Sequence, residues 1–137
     1  MAEKRPIIMV IEDETLLLRA IVKKLSLNDI DTISCTGGKQ AIDYLSNTPE
    51  LPDVIWLDFY LKDMNGMDFM KLLQADPRWS KIPVIVVSNS GSDDHMQSML
   101  ASGVKKYLIK ANFRLEDLIT IFKNAIGIHE PKPTNTA

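Results

Sequence analysis

Five polar residues stand where apolar runs end. Glu12 and Asp13 follow Ile7 to Ile11, Asp58 follows Val54 to Leu57, Ser88 follows Pro83 to Val87, and Lys110 follows the run from Lys105 to Ile109. Three carboxylates brought together repel one another, and each raises its neighbours' pKa, so such a cluster is costly unless a cation resolves it. An all-oxygen site with few protein ligands leaves room for water and a substrate phosphate. That suits Mg²⁺ better than zinc or a fully caged calcium. A carboxylate beside Mg²⁺ and a lysine is equipped to attack a phosphoryl group, giving an aspartyl phosphate. A hydroxyl at Ser88 then has a phosphoryl oxygen to which it can donate. Taken singly, each residue has a plainer reading. Asp58 would cap or turn the chain, Glu12-Asp13-Glu14 would favour a helix N-terminus, Ser88 would sit in a turn and Lys110 in solvent. Coincidence at four strand ends is what favours the joint reading.

The elements that must position these residues alternate in type. Ile7 to Ile11, Thr32 to Cys35, Val54 to Leu57, Pro83 to Val87 and Lys105 to Ile109 are short runs of strand length. Between and after them, apolar residues recur at helical spacing. These are Leu17, Ile21 and Leu25; Ala41, Ile42 and Leu45; Met67, Met70 and Leu73, with Phe69 and Leu72 beside them; Met96, Met99 and Leu100; and Leu115, Leu118, Ile119, Phe122 and Ile126. Gly66 reads as a turn ahead of the third helix, Asp76-Pro77 as its stop, and Gly103 as a left-handed cap ending the fourth. Ser90 to Asp94 supplies loop and capping chemistry. Methionines on the third helix read as core filling rather than a binding face. Five strands alternating with five helices imply a parallel sheet covered on both faces, with right-handed crossovers. In such sheets chemistry collects beyond the carboxyl ends of the strands, where all five polar residues lie.

The 137 residues suit one domain able to bury a core without disulfides or metal staples, and 45% hydrophobic with 25% charged residues is ordinary for a soluble protein. We expect a leader at 1–5, the domain at 6–127 and a flexible tail at 128–137. A net charge of -2 provides no electrostatic footprint for direct nucleic-acid binding. The single cysteine, Cys35, suits a reducing compartment. No apolar run has the length of a membrane span, and the N-terminus lacks a secretory pattern. The expected location is cytoplasmic, without membrane insertion.

Taken together these residues resemble the receiver domain of two-component response regulators, over about residues 6–127. The resemblance rests on Glu12-Asp13, on Asp58 with Gly66 eight positions later, on Ser88 thirty positions after Asp58, and on Lys110 fifty-two after it. Tyr107, three before the lysine, falls at the family's switch aromatic. The resemblance implies a flavodoxin-like, doubly wound five-stranded parallel sheet of order 2-1-3-4-5 flanked by five helices. It implies that Asp58 is the phosphoacceptor for a sensor histidine kinase or phosphotransfer protein, and that Ser88 and Lys110 contact the phosphoryl group. Before phosphorylation, it implies, Lys110 would pair with Asp58. Asp13, Asp58 and the backbone carbonyl of Tyr60 would bind Mg²⁺ directly, and Glu12 through water. Ser88 and Tyr107 would form a switch in which the tyrosine ring exchanges an exposed for a buried setting. The signal would leave through the fourth helix, fifth strand and fifth helix to a protein partner or a homodimer. The only chemistry expected is the gain and loss of phosphate at an aspartate, with Tyr60 and Ser90 flanking the path of attacking water.

The chain departs from the family pattern at three places. Lys62 stands where receivers usually have proline, Ala111 replaces the proline after the lysine, and Asn89 occupies a position usually given to a small residue. A cis bond to alanine costs about 2.5–4 kcal/mol, so either context holds that strain or the bond is trans. These departures favour an alternative, a receiver-like scaffold that works independently of phosphate. A third reading, a haloacid-dehalogenase-type phosphatase, asks for Asp-x-Asp after the first strand. This chain has Glu12-Asp13-Glu14 there, and no cap insertion.

Overall fold

The computed structural model describes residues 4–89 and 91–128. Its elements are β1 (Ile7–Ile11), α1 (Thr15–Leu27), β2 (Asp31–Cys35), α2 (Gly38–Asn47), β3 (Val54–Leu57), α3 (Gly66–Gln74), β4 (Val84–Ser88), α4 (Asp93–Ala101), β5 (Lys106–Ile109) and α5 (Leu115–Ala125), with a 3-10 turn at Lys110–Asn112. The strands form one sheet of order β2-β1-β3-β4-β5, and every pairing is parallel. This is the flavodoxin-like arrangement. Ser90 and most of the expected tail lie outside the described residues. Ile128, assigned to that tail, packs against the core, and its N–H donates to the Lys123 carbonyl at 2.8 Å.

The central strands are apolar throughout because each of their faces is covered. Met9, Ile11, Ile55, Leu57, Val84 and Val86 belong to one core cluster, shared with Ala41, Leu45, Phe69, Leu73 and Met99 from α2, α3 and α4. The alternate residues Ile8, Val10, Val54, Trp56, Ile85 and Val87 belong to the other, with Leu18, Ile21 and Leu25 of α1 and Leu118, Ile119 and Phe122 of α5. Period-two alternation thus feeds two cores from one run of sequence. Burying each large aliphatic side chain contributes about 1.5–3 kcal/mol. Trp56 adds a stacked contact with Phe122, centroids 4.4 Å apart. Leu72 and Leu100, read as core-facing, are each 45% exposed; Phe69, Met70 and Leu73 take the inner face of α3, and Met99 alone is fully buried on α4.

Two glycines differ in what they do. Gly103 has φ +106 just after the C-cap of α4, as expected for a left-handed ending. Gly66 is no turn residue. It opens α3 without positive φ, and a Cβ there would stand 3.0 Å from both Phe59 and Met99. Its lack of a side chain admits close packing, and its N–H donates to the Phe59 carbonyl at 2.7 Å.

Candidate functional site

Register brings the polar strand ends to one rim. Ile11 pairs with Leu57, so Glu12 and Asp58 leave the sheet side by side, and Ser88 pairs with Ile109, one residue short of Lys110. The Asp58 N–H donates to the Ile11 carbonyl at 3.0 Å, and the Glu12 N–H to the Cys35 carbonyl at 2.9 Å. Ligand oxygens of Glu12, Asp13 and Asp58 all lie within 4.8 Å of one another. The Lys110 ammonium bridges two of these groups, 2.6 Å from Glu12 Oε1 and 3.1 Å from Asp58 Oδ2.

Two of the three carboxylates are shielded from solvent, Glu12 at 1% exposure and Asp58 at 5%, while Asp13 is half-buried. Burial pushes the Asp58 carboxyl up to about 6; the Lys110 charge draws it down and the Glu12 charge raises it. Burial also draws the Lys110 ammonium down, but its bond to Glu12 and the charges of both carboxylates outweigh that, so its pKa is raised. The lysine is shared between two carboxylates, which leaves Asp58 only partly neutralised. Three crowded carboxylates with oxygen ligands only, beside a cleft of about 430 Å³ lined by Asp13, Gln40, Lys62 and Asp63, fit a hard divalent cation such as Mg²⁺.

The segment after Asp58 is folded back on itself and fastened on two sides. The Tyr60 N–H donates to Asp58 Oδ1 at 3.2 Å, and Tyr60 bridges to Asn65. Asn65 and Asp68 form a capping box that starts α3. Toward α2, the Asp63 carboxylate accepts from Gly38 N at 3.1 Å and Lys39 N at 2.9 Å. Toward α4, the Tyr60 hydroxyl and His95 Nδ1 lie 3.0 Å apart and share a hydrogen bond. Ser88 is fully buried, and Tyr107 shares a hydrogen bond with it; burial raises the phenol pKa and that bond partly offsets the rise.

Comparison with known proteins decides what such a rim belongs to. Residues 8–123 match the response regulator receiver domain. The chain belongs to that family. As a receiver it is a component of two-component signalling rather than an enzyme in the usual sense, and receivers generally bind Mg²⁺ at an acidic pocket of this kind. The chain is 29% identical to the chemotaxis protein CheY1 of Helicobacter pylori over 104 residues, 75% of this chain and 83% of that one. It is 31% identical to the transcriptional regulatory protein KdpE of Mycobacterium tuberculosis over 121 residues, 88% of this chain and 50% of that one. Among solved structures, the phosphorylated cyanobacterial phytochrome response regulator RcpA aligns with a TM-score of 0.76 at 26% identity, covering 88% of this chain and 91% of its own. The Francisella response regulator 1452 receiver domain aligns with a TM-score of 0.77 at 27% identity, covering 88% and 96%.

Glu12, Asp13, Asp58, Ser88 and Lys110 are brought to one rim, as their spacing suggested. Several other details of this receiver go beyond its sequence. The peptide bond to Ala111 is trans, as no cis bond occurs among the described residues, and the 3-10 turn at Lys110–Asn112 follows it. Lys110 still reaches Asp58 across that bond, so the missing proline does not displace it. Of the two settings expected for Tyr107, the structure presents the buried one, with 8% exposure. Cys35 is buried and free, its thiol pushed up by burial to about 11, which removes it from nucleophilic chemistry near neutral pH. Among the described residues no helix is long and apolar enough to cross a membrane. Sequence reasoning missed Asp63 and His95. The Gly37-Gly38 pair was the available signal for the first, because side chains there would crowd Asp63 and Met64. No spacing rule points to the second.

Proposed function

We propose that Asp58 accepts a phosphoryl group from a histidine kinase, a phosphotransfer protein or a small acyl phosphate, and that the phosphorylated protein signals through the α4–β5–α5 face to a protein partner or a second copy. The observation that carries this reading is the Lys110 ammonium lying between Asp58 and Glu12, beside Asp13. In this reading Asp13, Asp58 and the Tyr60 carbonyl hold Mg²⁺ directly, and Glu12, both of whose carboxylate oxygens already have partners, acts through water. When bound, the ion neutralises charge on the transferring oxygens. Asp58 attacks phosphorus through a carboxylate oxygen, the bond from phosphorus to the donor breaks, and the donor keeps the electron pair. Lys110 then follows the new charge from the carboxylate to a phosphoryl oxygen, and the Ser88 hydroxyl donates to another. That last bond competes with the Ser88–Tyr107 pair, which is how occupancy at Asp58 reaches β5. RcpA, with which this chain shares its fold, was solved in a phosphorylated form, and that likeness supports the same reading.

The test is intact mass after treatment with acetyl phosphate and Mg²⁺. Wild type gains the mass of one phosphoryl group, and Asp58→Asn gains none. An unlabelled wild type, or equal labelling of both, would sink the assignment.

A further inference from the structure

Trp56 is 1% exposed, and its indole N–H has no hydrogen-bond partner among the described residues. Buried donors are nearly always paired, and one left unpaired is costly. Turning the ring toward a partner would break its stack on Phe122, whose plane lies 11° from its own. Beside this indole is a cavity of about 160 Å³ between α1 and α5. Trp56, Val87 and Leu118, all buried, form its floor. The half-buried Leu17, Phe113 and Leu115 form its mouth. Phe113 follows the 3-10 turn, its N–H donating to the Lys110 carbonyl at 3.2 Å. Lys110 completes the wall, and its ammonium is already held by Glu12 and Asp58. The cavity therefore lies directly behind the rim, on the face of the sheet that α1 and α5 cover.

We infer that this cavity is a binding site for a small neutral molecule, about the size of one aromatic ring, carrying a hydrogen-bond acceptor for the Trp56 N–H. The inference goes beyond the proposed function and does not require phosphorylation of Asp58. Each part of the ligand's description follows from the lining. An apolar cavity of about 150 Å³ stays dry and takes up benzene, so there is room here for a single ring. Water is a poor occupant. It needs about two to four polar partners, and these side chains offer one unpaired donor and no acceptor. The indole nitrogen only donates, so the ligand must accept. A charged ligand would exchange water for apolar walls. The one cation in the lining, Lys110, is already shared between two carboxylates and repels a second cation. Aryl ketones, aldehydes and esters meet all these requirements.

The experiment titrates the nitrogen-15-labelled full chain with three probes and follows its amide and indole N–H signals. Acetophenone has the ring and the acceptor, ethylbenzene has a similar shape without the acceptor, and benzoate adds a charge. The Trp56 indole signal is identified as the one lost in Trp56→Phe; Trp79, which belongs to the core on the other face, is the internal control. Acetophenone should move the Trp56 signal saturably, its proton downfield, and leave Trp79 in place. One hydrogen bond of ordinary strength corresponds to about 2- to 10-fold in affinity. Ethylbenzene should bind more weakly by about that factor, benzoate more weakly still, and Trp56→Phe should reduce acetophenone to the affinity of ethylbenzene. Leu115→Trp, which lays a ring of the protein's own across the mouth, should abolish binding; the comparison of probes in wild type decides the matter even where that variant fails to fold. A Trp56 signal unmoved to the solubility limit of acetophenone, equal movement of Trp79, or ethylbenzene or benzoate binding as tightly as acetophenone would each overturn the inference. So would undiminished binding in folded Leu115→Trp.

Discussion

The loop from Asp58 to Gly66 is fastened to α2 on one side and to α4 on the other, and the two fastenings differ in kind. Toward α2, one carboxylate accepts from two backbone N–H groups of a helix N-terminus, and the loop lies so close that a Cβ on Gly38 would overlap the Met64 side chain. Toward α4, a neutral hydrogen bond joins an exposed tyrosine to a histidine. Charge-assisted bonds are roughly twice as strong as neutral ones, and backbone donors have no rotamers to lose. The α2 side is the stronger mooring and the α4 side the weaker. In the proposed function this difference would steer a disturbance at Asp58 toward α4, the helix beside the Ser88–Tyr107 pair.

Both fastenings hold a loop that begins at a carboxylate the fold resists ionising, and the largest expected effect lies there. In the folded protein burial pushes the Asp58 carboxyl up from 3.8 to about 6, a difference of about 3 kcal/mol at most. Between those two values the folded state binds more protons than the unfolded chain, so this group's contribution to stability falls as pH rises from about 4 to about 6, and stays low above. In chelator, Asp58→Asn should be more stable than wild type at pH 7–8 by up to about 3 kcal/mol, the gain vanishing below about pH 4. Thermal midpoints across pH check this, and saturating Mg²⁺ should shrink the gain. Breaking the α2 mooring sterically comes next. Gly38→Val should cost about 1–3 kcal/mol through overpacking, with part recovered by adding Met64→Ala; urea midpoints of the two proteins measure it. Removing its charge is milder. Asp63→Ala deletes a helix N-terminal acceptor, worth about 0.5–2 kcal/mol, and should weaken heat protection by Mg²⁺ more than His95→Leu does. The smallest effect belongs to the α4 side, where Tyr60→Phe should change stability by less than about 1 kcal/mol.

What the sequence made legible follows the same division. Strands buried on both faces announce themselves as unbroken apolar runs, so β1, β3 and β4 stood out at once, the edge strands β2 and β5 showed as more polar runs, and the rim of Glu12, Asp13, Asp58, Ser88 and Lys110 could be read from spacing, while the strand order came with the family resemblance. Contacts between segments distant in sequence leave no periodic trace. Gly66 looked like a turn because glycine usually marks one, whereas its reason is the nearness of Phe59 and Met99. Leu100 looked core-facing because helical spacing fixes a stripe but not its width, and on α4 only Met99 is buried, with Met96 partly buried against the same core. The buried setting of Tyr107 depends on a partner, Ser88, in another strand. His95 stands out only once Phe59 and Tyr60 have been brought beneath it in space.

The asymmetry itself is open to direct measurement. Backbone amide shifts recorded with Mg²⁺, with and without beryllofluoride as a phosphoryl mimic, report where a change at Asp58 travels. The account predicts large shifts through residues 92–102 and along β5 to Tyr107, with the amides of Gly38 and Lys39 nearly unmoved. Shifts confined to the surroundings of Asp58, or reaching α2 as strongly as α4, would contradict it.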